Sequence, residues 1–111
     1  MSRSDPELVA DALEHIRILH QHLDRSDLAD ATVADAVSLR LAAAIECLSI
    51  ASQGLRDRVF GGEWPVAWST RNRIAHGYAH IDSAIIRATV EKDLPQVEAA
   101  LRAELTDGAE A

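Results

Sequence analysis

The sequence predicts an all-α protein, an up-down bundle of four to five helices. Apolar residues recur at spacings of three and four along most of the chain, and strand-like alternation is absent. Hydrophobic residues make up 48% of the chain but aromatic residues only 4%, so the core must be built from Leu, Ile, Val and Ala, which suits helix-on-helix packing. The length of 111 residues is one domain's worth, with a core expected at about 5–105 and a polar tail over 106–111. A domain of this size leaves a modest stability margin, and a homodimer is the default expectation.

The elements follow in order. "SDPE" is a helix-start signature: Ser4 can cap, Asp5 and Glu7 favour the positive end of the helix dipole, and Pro6 fits the first turn. Val9, Leu13, Ile16, Leu19 and Leu23 then form a stripe on a helix running to about Arg25. "DRSDLADAT" is a loop, and Thr32 with Asp35 repeats the capping pattern. An alanine-rich second helix carries Val33, Val37, Leu41, Ile45 and Leu48 and is expected to reach about Gly54. "FGGEWP" interrupts it, Pro65 starts a third helix, and Gly77 is placed to end that helix just past its C-cap. Asp82 or Ser83 caps a fourth helix with Ile85, Ile86, Val90 and Leu94 inward. Pro95 ends or kinks it, and a last helix carries Val97, Leu101 and Leu105.

A net charge of −7 argues against a non-specific grip on nucleic acid or anionic membrane by the whole surface. The distribution says more: residues 56–87 carry a local balance of +2, and the rest of the chain −9. The single cysteine, Cys47, lies in an apolar run and reads as a buried, inert thiol, consistent with a reducing cytoplasm. No apolar run approaches the length of a membrane span, and the polar N-terminus is unlike a signal peptide, so a cytoplasmic protein is expected.

Positive charge gathers around "RNRIAHGY", residues 71–78, which holds two arginines, an asparagine, a histidine and the only tyrosine. On a helix, Asn72 and His76 face the same way, whereas Arg71 lies about 140° from His76. If Gly77 ends the helix, the His76 imidazole can turn back and Tyr78 can project outward. Arg71, Asn72, His76 and Tyr78 could then converge, with Arg73 beside them. Arginine binds a phosphodiester and stabilises its developing charge; histidine moves protons near neutral pH. With these groups RNA can be cut without metal or cofactor, and a dimer would supply an acid as well as a base. A satisfied polar helix end with no chemistry explains the same residue types.

Other candidates are weaker. His15 and His22 share a helix face with Asp11 one turn before, and His76 and His80 are four apart, but neither set has the support a metal site needs, and none is assigned. Glu46 sits among apolar residues, either facing solvent or bracing an arginine near the octet. Trp64 and Trp68 could stack bases, but tryptophans at helical spacing more often anchor a core or a dimer interface.

"RNRIAHGY" fits the pattern Arg, four residues, His, any residue, Tyr, and resembles HepT-like proteins of the HEPN superfamily. "DAVSLRLAAAIE" upstream, "EWP" before the octet, and "HID" and "KDLPQVEAAL" after it extend the resemblance over about residues 8–105. That resemblance implies a dimeric helical bundle with the motifs near the dimer cleft. It implies a metal-independent ribonuclease, the toxin of a toxin–antitoxin pair, whose partner is an MntA-type minimal nucleotidyltransferase that silences it by transferring AMP to the tyrosine. Carried over, Arg71 and His76 are catalytic, Asn72 and Arg73 supporting, and Tyr78 the AMP acceptor. Where the family often has an aromatic residue in its fourth helix, this chain has Ile86 and Arg87. The alternative function is a non-catalytic subunit that binds and regulates a nucleotidyltransferase.

Overall fold

The computed structural model describes residues 3–77 and 82–110, with side chains to 106. Among these residues every regular element is helical: α1 (Asp5–Arg25), α2 (Ala31–Ser49), α3 (Gln53–Phe60), α4 (Trp64–His76), α5 (Ser83–Ala88) and α6 (Leu94–Glu110). A π-helical segment, Thr89–Asp93, joins α5 to α6, so the last three segments form one continuous rod and the bundle has five helices. Proline explains the π turn. Pro95 has no N–H for the Glu91 carbonyl, and its ring would crowd that carbonyl in an α-helix; the widened turn, in which Leu94 N–H reaches the Thr89 carbonyl, relieves both problems. The rod is therefore distorted at Pro95 without being broken, and its backbone stays helical to Glu110, inside the segment expected as a tail.

The first helix starts where its sequence signature places it, with Ser4 Oγ accepting from the Glu7 N–H at 3.3 Å. The second is capped by Asp30 rather than Thr32: its carboxylate accepts from Thr32 N–H at 2.9 Å and from Val33 N–H at 3.4 Å. A carboxylate reaches two orphan donors where the threonine pattern would have satisfied one.

The expected long second helix is two. It stops at Ser49, and Gly54 lies inside α3. The cause is Ser52, whose extended backbone and Oγ, accepting from Leu55 N–H at 3.2 Å, begin a new helix. Asp5 of α1 fixes the break from outside, accepting from Ser52 N–H at 2.9 Å and from Ser52 Oγ at 2.6 Å. Arg56 closes the other side by donating to the Ser49 carbonyl at 3.1 Å and to that of Ala51. In the turn after α3, Gly61 and Gly62 adopt φ of 57° and 95°, which side-chain-bearing residues rarely take.

The Ser52 hydrogen bonds, its side chain first and its N–H second, hold the Asp5 carboxyl below its ordinary value. A depressed folded pKa means that stability is present above the unfolded carboxylate range and lost as the pH falls through the folded value. Asp5→Ala should therefore cost about 1 kcal/mol at pH 7, solvent screening included. Paired denaturant melts should show the gap from the parent chain closing below about pH 4.

The core lies where α1 crosses α2 and α6. Leu8, Val9, Ala12, Ile16 and Leu19 of α1 meet Val37, Leu41, Ala44 and Leu48 of α2. Leu55 and Val59 of α3, and Ile86, Val90, Leu94 and Leu101 of the final rod, close it. Arg58 on Glu104, at 2.7 Å, ties α3 to α6. The fourth helix contributes no fully buried residue and rests on the outside of the bundle against α2. That leaves its polar side chains available.

Candidate active site on the fourth helix

Pro65 in the first turn starts α4, which puts residues 71–76 in its last turns. Arg71 leans toward α2. Its Nε meets Glu46 Oε2 at 2.7 Å, its Nη1 donates to Asn72 Oδ1 at 3.1 Å, and its guanidinium lies 4.9 Å from the Trp68 ring centroid. An acid, an amide and an aromatic face thus hold one planar cation, an arrangement that lysine could not reproduce. Glu46 is the brace that its position among apolar residues raised as one of two readings, although half its side-chain surface stays open to water.

Trp68 stacks in turn on Trp64, with centroids 5.8 Å apart, and Arg56 covers Trp64 at 5.3 Å. Both tryptophans are half-buried against the core cluster and therefore anchor α4 to the bundle. The second role of Trp68, as the platform for Arg71, was not foreseen. The three-residue spacing of Trp68 and Arg71 is the signal that could have shown it.

Asn72, Arg73 and His76 line a cleft of about 670 Å³ between the second half of α4 and the start of α5. Its apolar wall includes Trp68, Ile85 and Ile86. Arg71 is not on this cleft. Its five-residue offset from His76 keeps its angular separation, because Gly77 has φ −74° and ψ −15° and continues the right-handed path instead of reversing it. The expected convergence of Arg71 with His76 within one chain therefore does not occur, and Asn72 connects the two by touching Arg71 while facing the cleft. Tyr78 and His80 lie outside the described residues. Ile85, Ile86 and Asp82 on the far wall do not follow from sequence as site residues, since only the packing of both α4 and α5 on α2 brings them there.

A smaller, more enclosed cavity of about 160 Å³ lies nearer the core, but its charged lining residues, Glu63 and Asp93, would repel a phosphate. Elsewhere, His15 Nδ1 accepts from Arg40 at 3.1 Å and His20 meets Glu98 at 2.8 Å. Burial pushes the Glu98 carboxyl up, and the hydrogen bonds from His20 and Arg102 more than offset it, leaving the group below its ordinary value. No three His, Cys, Asp or Glu residues among those described come together as a metal site. Cys47 is half-buried rather than fully buried as expected, and the burial it has pushes its thiol up, away from the reactive thiolate at neutral pH.

The family described as ribonuclease HepT-like matches residues 9–104, nearly the whole chain. The chain belongs to the HepT-like family. Searches of curated proteins and of solved structures returned no match. The match covers α4 entire and both walls of the cleft, so the Arg71–His76 pair lies within the HepT-like region and not in an appendage. Among the described residues no helix is long and apolar enough to cross a membrane.

Proposed function

We propose that this HepT-like chain is a metal-independent endoribonuclease and the toxin of a toxin–antitoxin pair. The observation that carries the reading is the last two turns of α4, where Arg73 and His76 line an open cleft and Arg71, beside it, is locked by Glu46, Asn72 and Trp68. With Nε and Nη1 engaged, Arg71 keeps Nη2 for a phosphate oxygen. His76 takes the proton from a ribose 2′-hydroxyl, whose oxygen attacks the adjacent phosphorus. The bond to the 5′ oxygen breaks, leaving a 2′,3′-cyclic phosphate and a free 5′-hydroxyl.

The departing 5′ oxygen needs a proton. A second copy of the chain, docked through α4, would supply it from its own histidine and bring its own arginine to the phosphate, which the Arg71 of the first chain, standing off the cleft, does not reach alone. Two observations support that homodimer: α4 buries no residue fully, and its Val66 is 56% exposed. In this reading the protein acts in the cytoplasm. A partner nucleotidyltransferase of the MntA type silences it by joining the AMP of ATP to the Tyr78 hydroxyl and releasing pyrophosphate. The added phosphate, two residues from His76, repels the RNA backbone.

The test is incubation of a mixed RNA pool in EDTA with chain whose intact mass shows no modification. Cyclic-phosphate and 5′-hydroxyl ends are expected. Intact RNA across several classes of substrate would remove the nuclease and favour the alternative, a regulatory subunit of the nucleotidyltransferase.

A further inference from the structure

Arginine carries only hydrogen-bond donors. The Asn72 atom 3.1 Å from Arg71 Nη1 must therefore be the amide oxygen, which fixes the orientation of an amide that is often ambiguous. The other end of the same side chain, Nδ2, is a pure donor. Asn72 also lines the cleft, whereas Arg71 does not, so the end left for a cleft ligand is the donor end.

The cleft has the makings of a nucleobase site. Its volume of about 670 Å³ falls within the usual range for small-molecule sites. Trp68, Ile85 and Ile86 give it an apolar wall for a flat ring, and Arg73 gives it a cation for a phosphodiester. Asp82, the carboxylate on the same lining, is engaged as the cap of α5, accepting from Ala84 N–H at 2.9 Å. A free asparagine reads bases with donor and acceptor together. Here the acceptor is tied to Arg71, and only the donor remains.

We infer that Asn72 selects the base held in this cleft, donating from Nδ2 to the ring carbonyl of uracil or guanine and disfavouring the amino group that cytosine or adenine carries at the same place. This inference rests on the ribonuclease reading, since it assigns the cleft to one nucleotide of the RNA being cut. It also gives the Arg71–Asn72 contact a double role. The bond that steadies the phosphate-binding cation sets the polarity of the base-reading amide.

Binding and cleavage are measured separately so that the two ideas can fail separately. Uridine 3′-monophosphate against cytidine 3′-monophosphate, and inosine 3′-monophosphate against adenosine 3′-monophosphate, are titrated into the full chain. Each pair exchanges a keto for an amino group. The keto member should bind about three- to ten-fold tighter in at least one pair, the worth of a single well-placed hydrogen bond. Asn72→Asp keeps an acceptor toward Arg71 but turns a second acceptor to the cleft, so the ratio should reverse toward the amino member. Asn72→Ala should bring it close to one.

Equal affinity within both pairs overturns the inference, as does a ratio that survives both substitutions in chain still folded by circular dichroism. Absence of all binding, the result expected if a second copy of the chain fills the cleft, overturns it as well. The parallel readout is the base flanking each cut in a random RNA pool. Cutting without keto preference sinks base selection and leaves the nuclease standing; keto-selective binding without any cutting keeps base selection and sinks the nuclease.

Discussion

Replacing His76 by alanine should lower RNA cleavage by about 10²–10⁴-fold, the usual worth of a positioned acid–base group. The same substitution should leave the thermal unfolding midpoint almost unchanged. His76 is exposed at the last turn of α4, in a helix that buries no residue fully, so removing it opens no cavity and strands no buried polar group. The two readouts together separate chemistry from folding. Initial rates on a fluorescent oligoribonucleotide in EDTA give the first, and differential scanning calorimetry gives the second. High concentrations of free imidazole should restore part of the lost rate, because the missing ring leaves an open site beside Asn72 and Arg73. A large loss of rate together with an equally large fall in stability would mean that His76 holds the helix end and is not a proton carrier.

The helices were legible where one local rule decided them. The first combined an apolar stripe with a serine cap, and both were seen. What could not be read was competition between nearby signals. Thr32 and Asp30 both suit a cap, and the choice went to the carboxylate that reaches two N–H groups. "SQG" looked like the end of a helix because glycine commonly follows one. Ser52 made it a beginning, helped by Asp5, forty-seven residues earlier in the chain. No window of sequence contains that contact.

The candidate site divides in the same way. Angular arithmetic put Asn72 with His76 and set Arg71 apart, and that division holds in the structure. Gly77 does end the helix at His76, as its place in the sequence suggests, but it stays right-handed, and Arg71 remains off the cleft that His76 lines. The brace from Glu46 could be raised from composition alone, since a carboxylate in an apolar run needs a reason. The opposite wall could not, because Ile85 and Ile86 read simply as core positions of a later helix. Only Ile86 is deeply buried; Ile85 is half-open and lines the cleft.

Two leucines on α2 should behave in opposite ways. Leu41 is 3% exposed and Leu39 is 65% exposed, although they are two residues apart on one helix. At 100° per residue they point about 200° apart, so one faces α1 and the core while the other faces outward. Leu41→Ala removes buried methyl groups and leaves a cavity that close-packed neighbours only partly fill, at a cost of about 3 kcal/mol. For a domain this size that is a large share of the whole stability. The midpoint of thermal unfolding should drop by more than about 10 °C. Leu39→Ala gives up no packing within the chain and exchanges leucine for the best helix former, so its expected effect stays within about 0.5 kcal/mol. Chemical denaturation of both variants at one protein concentration measures the contrast. A second series at higher concentration adds a test of association. If Leu39 lies in a subunit contact, its substitution should destabilise more as the concentration rises, whereas the Leu41 defect is internal to one chain and should persist at every concentration. Equal losses for the two leucines at low concentration would contradict the orientation of α2 and with it the Glu46–Arg71 contact, because the same helical phase turns Glu46 toward α4.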